Sequence, residues 1–462
     1  MRDDVDPAAR HVPFAESGSY PVRDGNAVRP LVDGEPAFRR ICEAVETARH
    51  SVWVTVAFLR PGFLMPDGRG SFFDLLDGAA ARGLDVRVLF WGLNPESSHF
   101  GPGVFSGTPE QREVLAARGA GFSVRWDRAH GPYCQHQKSW LVDAGQQSET
   151  AFVGGINLNP RAVVSPGHVG EDQVHDIYLE VTGPAATDVH HNFVQRWNEA
   201  SDRACEDGVW GPGGGDQLPF PTCLTGSRGP GLVQIQRTVH AGRYRVGEPA
   251  PGGVSFEIAA GERTILDQYL LAIGAARRSI YIENQALEVA EIVLALDQAL
   301  ERGVGVVVLV PSEPEDQARA ARGRPEMRSF DDRMRALGRY EHFALAGIAG
   351  PTGRGDRADV YVHAKVMLVD DAWATIGSCN LHRASLFANS ELNASFWDPE
   401  AVRALRCELL AEHLDLDTAG LDDVTALGEY RRIARENRSR RDLGDAGWQG
   451  LAFSLDPATY CR

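Results

Sequence analysis

Apolar positions along this chain fall into short runs joined by amphipathic stretches, and one succession of shapes occurs twice. "AVETARHSVWVTVAFL" (residues 44–59) closes a helix and passes into an apolar strand. "AIGAARRSIYIENQAL" (residues 272–287) does the same. Each is followed by an amphipathic helix and a further strand, "FFDLLDGAAARGLDVRVLFW" in the first copy and "ALDQALERGVGVVVLVP" in the second. Strands alternating with helices predict α/β halves, each a mainly parallel or mixed sheet between helices. The repeat is too long for a solenoid and reads as a duplicated domain.

Punctuation between the copies sets the expected boundaries. "GVWGPGGGDQLPFPTCLTGSRGPG" (208–231) is dense in Gly and Pro without a period, the mark of a linker or surface excursion. The halves are placed at 25–207 and 232–415, behind an N-terminal extension (1–24) and ahead of a charged, mostly helical tail (416–462) expected to decorate the fold. "APGGVSFEIAAGE" reads as a loop, and "SEPEDQARAARGRPEMRSFDDRM" as a helical insertion. "RGD" at 354–356 sits in a turn-like context and carries no functional weight.

The 462 residues are 43% hydrophobic and 24% charged, a globular composition long enough for two or three domain-sized units. No run of 18 apolar residues predicts a transmembrane helix, and the acidic N-terminus lacks the apolar core of a secretory signal. The seven cysteines are odd in number and lack CxxC pairs, which favours reduced thiols over a disulfide scaffold or a cysteine zinc site; a Cys205–Cys223 bridge across a loop is the disfavoured alternative. A net charge of −16 argues against nucleic acid as a partner and against firm docking on an anionic membrane.

Charge usage is more informative than charge. Of 47 Lys plus Arg residues only two are lysine, Lys138 and Lys365, so 45 (47 − 2) are arginine. Each lysine stands two residues after a histidine, His136 in "QHQKSWLVD" and His363 in "YVHAKVMLVD". In a strand, residues i and i+2 share a face, so each His–Lys pair is expected to point together. Both runs end on an aspartate, Asp143 and Asp370. A Gly-rich turn with an amide follows: Gly154, Gly155 and Asn157 in "GGIN", Gly377, Ser378 and Asn380 in "GSCN". Ten residues separate Asp143 from Gly154 and six separate Asp370 from Gly377, so the first copy carries a four-residue insertion.

This paired His-x-Lys-x4-Asp pattern resembles that of the phospholipase D superfamily, which carries one such motif per half. The resemblance covers about residues 25–415. "AFVGGINL", "HDIYLEVTGPAATDVHHNFVQRWN", "IYIENQ" and "SELN" are similar to segments of the phospholipases D themselves. It implies an α/β fold of two tandem α/β/α sandwich halves related by a pseudo-twofold axis, with the active site at their interface. It also implies phosphodiester chemistry through a phosphohistidine, without metal or cofactor. His136 is then the nucleophile and His363 the acid/base, an order the residues alone leave open. A covalent route splits displacement at an anionic phosphorus into two easier steps. Lys138 and Lys365 supply compact positive charge, Asn157 and Asn380 donate hydrogen bonds, and Gly155 and Ser378 admit close backbone approach. Asp176 in "VHDIYLEV" and Glu391 in "NSELN" follow the two motifs and fit the acceptors that fix an imidazole tautomer. Asp143 and Asp370 complete the catalytic motifs, either holding their geometry or pairing with the lysines.

Glu283, Asn284 and Gln285 end a strand, where α/β sites form; Gln285 is taken as a substrate contact and structural capping is the alternative. Trp91, Trp140, Trp373 and Trp397 read as core rather than pocket, and His190 and His191 as the solvent face of a helix. The expected substrate is a phosphatidylcholine-like phospholipid at a membrane surface, with water or an alcohol as acceptor. The protein is expected to act as a monomer, cytoplasmic or peripheral, with signal-independent export as a further route. A cardiolipin- or phosphatidylserine-synthase-like transferase and a nuclease are the competing readings.

Overall fold

The computed structural model describes residues 10–94, 96–97, 103–201, 217–314, 319 and 328–460. Cys205, residues 208–216 of the anticipated linker, and residues 315–318 and 320–327 of the anticipated insertion lie outside the described residues.

In the first half β1 (Arg23–Val32) leads through α1 (Gly34–Thr47), β2 (Ser51–Val56), α2 (Phe72–Ala81), β3 (Asp85–Trp91) and α3 (Pro109–Arg118) to β4 (Ser123–Asp127). Then come β5 (Ser139–Val142), β6 (Thr150–Gly154), β7 (Val174–His175), β8 (Ile177–Thr182) and α4 (Pro184–Asn198). The second half runs β9 (Gly231–Val239), β10 (Glu262–Arg263), α5 (Thr264–Ala275), β11 (Ser279–Asn284), α6 (Ala290–Glu301), β12 (Gly305–Leu309), α7 (Arg328–Leu337) and β13 (Phe343–Pro351). It continues with β14 (Arg357–Val362), β15 (Lys365–Val369), β16 (Trp373–Gly377), α8 (Arg383–Phe387), β17 (Glu391–Trp397) and α9 (Pro399–Leu414). The tail holds α10 (Asp423–Asp442) and β18 (Ala452–Leu455).

Strand pairing repeats between the halves. The first sheet runs β4–β3–β2–β5–β6–β8–β1, with β2, β3 and β4 parallel and the remaining neighbours antiparallel. The second runs β13–β12–β11–β15–β16–β17–β9 in the same senses. β1 also pairs with β9, so the two sheets are joined edge to edge. Helices lie on both sides: α1 and α2 close one outer core, α5 and α6 the other. Between the sheets a single apolar core joins Leu141, Ala151 and Leu179 to Ala374, Ile376 and Leu392, along with residues of α4 and α9. Burial on both faces explains the near-continuous apolar strands read in the sequence. Local signals set several helix starts: Ser71 and Asp74 form a reciprocal capping box at α2, and Thr108 and Gln111 one at α3.

Trp91, Trp140, Trp373 and Trp397 are buried in these cores, as their strand positions suggested. Two expectations are corrected. His190 and His191 are buried, because α4 is wedged between the halves and has no broad solvent face; His190 Nδ1 lies 2.9 Å from Glu149 Oε1 and His191 Nδ1 3.1 Å from the Tyr20 hydroxyl. The tail is also more than decoration. α10 buries Leu427, Tyr430 and Ile433, and β18 pairs antiparallel with β13, extending the second sheet. Its alternating "AFSL" is too short to stand out as a strand in a charged segment. The described cysteines are free. Among the described residues no helix is long and apolar enough to cross a membrane.

Phe453, paired with Gly347 across β18–β13 and buried, should cost about 3–5 kcal/mol when changed to Ala. Denaturant unfolding would read this; a change below about 0.5 kcal/mol, normal for a surface site, would leave the tail outside the cooperative core.

Candidate active site

Each motif histidine stands just before a sheet strand rather than inside one. β5 begins at Ser139 and β15 at Lys365, so the His–Lys pairs do not share a strand face as anticipated. Each lysine instead folds back on its own histidine. Lys138 Nζ donates to the His136 carbonyl at 2.8 Å, and Lys365 Nζ donates to the His363 carbonyl. Both ammonium groups are buried.

What brings the two motifs together is a pair of parallel contacts between the halves. Gln135 bridges Ser390, and the His136 N–H donates to the Ser390 carbonyl at 2.9 Å. In the equivalent place β14 pairs with β7, and the His363 N–H donates to the His175 carbonyl at 2.8 Å. The residue after each acceptor is a carboxylate, Glu391 or Asp176. His136 Nδ1 therefore meets Glu391 Oε2 at 2.9 Å, and His363 Nδ1 meets Asp176 Oδ2 at 2.5 Å. Each imidazole is held by the carboxylate of the opposite half. The acids that follow the motifs in sequence thus serve the partner motif, a crossing that linear order does not reveal.

The carboxylates are themselves fixed. Glu391 accepts from Ser378 Oγ at 2.6 Å and from Ser385 Oγ, with Asn389 Nδ2 at 3.4 Å. Asp176 Oδ1 accepts from the Ile177 N–H at 2.8 Å, and a Cβ placed at Gly155 would sit 2.3 Å from that oxygen. So Ser378 orients an acid and Gly155 makes room for one, rather than merely admitting a ligand. Ser385 and Asn389 went unnoticed in the sequence, as did Phe58 and Tyr361. The Phe58 ring meets His136 edge-on at 6.0 Å, with Lys138 Nζ 5.9 Å from its centroid, and Tyr361 lies tilted 6.2 Å from His363. The position of Phe58 just past the end of β2 was its one available signal.

Charge is shared across the site. Burial pushes His136 down to about 4, against the pull of Glu391, and Lys138 and Lys365 add to the depression. Burial likewise pushes His363 to about 4, with Lys365 and Lys138 contributing and Asp176 opposing. Each lysine acts on both imidazoles, which places all four groups in one field. Burial lowers Lys138 to about 8, opposed by Glu391, so it is largely charged at pH 7. Burial alone would raise Glu391; His136 and Lys138 outweigh it and hold the carboxyl below its ordinary value. At neutral pH both imidazoles are neutral and each Nδ1–H donates to its acid. Nε2 of each has no hydrogen-bond partner among the described residues.

Asn157 and Asn380 each keep a buried Oδ1 that lacks a hydrogen-bond partner among the described residues. Gln285 lines it through Lys365 Nζ, 3.4 Å from Oε1, and through Nε2, which donates to the Tyr361 hydroxyl at 2.8 Å. Asn284 caps backbone instead, accepting the Leu381 N–H at 2.9 Å. Of the two roles open to Asp143 and Asp370, the structure shows the geometric one and no pairing with the lysines, and neither carboxylate belongs to the reacting centre. Asp143 accepts the Arg49 and His50 N–H groups at 2.9 and 2.8 Å, and Asp370 those of Arg277, Arg278 and Ser279 at 2.9, 2.8 and 2.8 Å. They tie the far ends of β5 and β15 to the starts of β2 and β11, and neither meets a lysine.

Comparison with known proteins shows what the chain is similar to. Residues 269–412 match the family model described as cardiolipin synthase, PLD-like domain. The chain is 24% identical over 456 residues to phospholipase D A of Dictyostelium discoideum, covering 82% of this chain and 33% of that protein. It is 22% identical over 418 residues to a probable cardiolipin synthase of Bacillus subtilis, covering 88% and 68%. It is 25% identical over 513 residues to phospholipase D alpha 2 of Oryza sativa subsp. japonica, covering 81% and 61%. The chain therefore spans a third of the first of these relatives and about two thirds of the others. In fold it is similar to a phosphatidylserine synthase of Haemophilus influenzae, with a TM-score of 0.53 at 12% identity over 94% of this chain and 89% of that one.

Because Gly155 leaves no room for a Cβ against Asp176, Gly155→Ala should destabilise the fold by about 1–3 kcal/mol in denaturant unfolding. An unchanged midpoint would mean that Asp176 moves freely.

Proposed function

Because the chain belongs to the phospholipase D superfamily, we propose that it is a phosphodiesterase cleaving phosphatidylcholine-like phospholipid to phosphatidic acid and free headgroup. The observation that carries this reading is the crossed pair, two imidazoles tied at Nδ1 and bare at Nε2, with both lysines in the same field.

His136 Nε2 attacks phosphorus while the bond to the headgroup oxygen breaks, leaving a phosphohistidine on His136. Glu391 takes up the positive charge this places on the ring. His363 delivers the proton to the departing alkoxide. In the empty site it is neutral, but an anionic phosphodiester beside it favours the imidazolium. In the second step neutral His363 removes a proton from water, whose oxygen displaces His136 and regenerates the free imidazole. Lys138 and Lys365 hold the phosphoryl oxygens where negative charge gathers. Asn157 and Asn380 would meet those oxygens through their side-chain Nδ2 donors. An alcohol entering in place of water gives phosphatidyl transfer. The likeness to probable cardiolipin synthases favours that second reading of the same site. A nuclease reading has only the shared chemistry behind it, against a net charge of −16.

A lipid panel with and without ethanol tests the proposal. Headgroup release with phosphatidylethanol formation is expected, and His136→Ala and His363→Ala should each lower it at least about 10⁴-fold, as for residues acting as one catalytic unit. Substantial turnover in either variant would refute the two-histidine route, and cleavage of single-stranded DNA without lipid turnover would move the substrate to nucleic acid. Lys138→Arg should lose most activity while the fold survives. The buried Nζ sits on a slim stem against Phe58 and the His136 carbonyl, where a planar guanidinium does not fit.

A further inference from the structure

Beside the strand that carries Asp176 lies a largely buried cluster that the proposed chemistry does not use. It consists of Asp33, His168, His175 and Glu412, with Glu283 and His413 beyond. Asp33 ends the β1–α1 junction, His168 comes from the loop after β6, His175 from β7 and Glu412 from α9. His168 Nε2 lies 3.2 Å from His175 Nδ1, 3.3 Å from Asp33 Oδ2 and 3.3 Å from Glu412 Oε1. His175 Nδ1 lies 2.9 Å from Asp33 Oδ1. In a tetrahedral site with bonds of about 2.0–2.2 Å, ligand atoms stand roughly 3.3–3.6 Å apart. With Asp33 taken through Oδ2, the three separations that meet at His168 Nε2 fall at or within a tenth of an ångström of that range. The 2.9 Å contact from His175 Nδ1 runs to the other oxygen of Asp33, Oδ1, and is a hydrogen bond outside that set.

Three further observations point to a cation. Asp33 is fully buried, and its Oδ2 faces into the cluster without a hydrogen-bond partner. The ion pairs of Asp33, Glu283 and Glu412 run to histidines, so three carboxylates, two buried and Glu412 partly so, face three imidazoles with no lysine or arginine paired to them among the described residues. The outer nitrogen of His175 is already oriented: Nε2 lies 3.0 Å from Glu283 Oε2, which also accepts at Oε1 from the Tyr281 hydroxyl at 2.7 Å. A carboxylate fixing the far nitrogen of a metal-bound histidine is the usual support in zinc sites. The backbone is strained at two of the four residues. Asp33 takes φ 64° with ψ 157°, a region close to glycine-only, and His168 has φ 46°.

We propose that Asp33, His168, His175 and Glu412 bind one divalent transition-metal ion of the zinc class, with two nitrogen and two oxygen ligands. Binding releases the proton of His175 Nδ1 to solvent and leaves Nε2–H donating to Glu283. The site is positioning rather than catalytic. The Asp33 N–H donates to the Asp176 carbonyl at 2.9 Å, and the His363 N–H donates to that of His175. The ion therefore pins the strand that presents Asp176 to His363.

The test uses the full chain without a polyhistidine tag. Elemental analysis after dialysis should find about one zinc per chain. Adding Co²⁺ to the chelator-stripped protein should produce the intense visible bands of tetrahedral cobalt, and Zn²⁺ should raise its Tm. His168→Ala should abolish the bands and weaken zinc at least about 100-fold, beyond what loss of a supporting residue costs. Glu412→Gln, nearer the surface, should weaken zinc while leaving the circular dichroism spectrum intact, covering the case in which His168→Ala fails to fold. No stoichiometric metal and no cobalt bands would overturn the proposal and leave the cluster a proton-held network around His175. Bands that survive both variants but vanish in His136→Ala would overturn it by placing the ion between the two imidazoles.

Discussion

The exchange of carboxylates between halves is the constraint on which the rest of the structure depends. A buried imidazole that must stay neutral and aimed needs an acceptor at Nδ1. Here each acceptor arrives on a strand or loop of the opposite half, Glu391 for His136 and Asp176 for His363. Neither half can complete its own site. The edge pairing of β1 with β9 and the shared core between the sheets are therefore conditions of the chemistry as well as of stability. The parallel contacts Gln135–Ser390 and Val362–His175 set the register, since each acid is the next residue along.

Burial does the electrostatic work in this arrangement. It strips water from both imidazoles and moves them far enough down that they stand neutral at pH 7 with Nε2 bare. It also makes a bare lysine costly, and each Nζ recovers part of that cost by folding back on the carbonyl of its own histidine. This gives the scarcity of lysine in the chain a structural meaning. Forty-five (47 − 2) positive charges are written as arginine, and the two lysines stand where a narrow, bendable stem must turn within two residues. The second layer is ordered with equal care. Ser378, Ser385 and Asn389 fix Glu391, while Asp33 and His175 fix the strand of Asp176.

Much of this was legible before any coordinates. The doubled strand–helix–strand succession foretold two sheets, and they prove to share strand order and sense. The two His-x-Lys runs with their trailing amides named the residues around which the site is built. The misreadings share one cause, which is that local pattern does not carry tertiary burial. His190 and His191 look like a polar helix face, yet α4 is enclosed on nearly every side by the two halves and the neighbouring loops. "AFSL" is invisible as a strand until β13 offers it an edge. Asp143 and Asp370 were open between holding motif geometry and pairing with the lysines, and the backbone decides it by turning at φ 55° and 56°, which aims both carboxylates at strand-end N–H groups.

The sequence by itself determined the duplicated α/β architecture, the resemblance to the phospholipase D superfamily, and the two histidine–lysine pairs with the acids and amides that follow them. Those follow from periodicity and residue type, which are local. Only the tertiary structure decided which acid serves which histidine, that the lysines turn back on their own backbone, and that Asp33, His168, His175 and Glu412 meet. Asp33 and Glu412 lie hundreds of residues apart. Their meeting depends on how β1, β7 and α9 pack, and no spacing within the chain encodes a distance that packing creates.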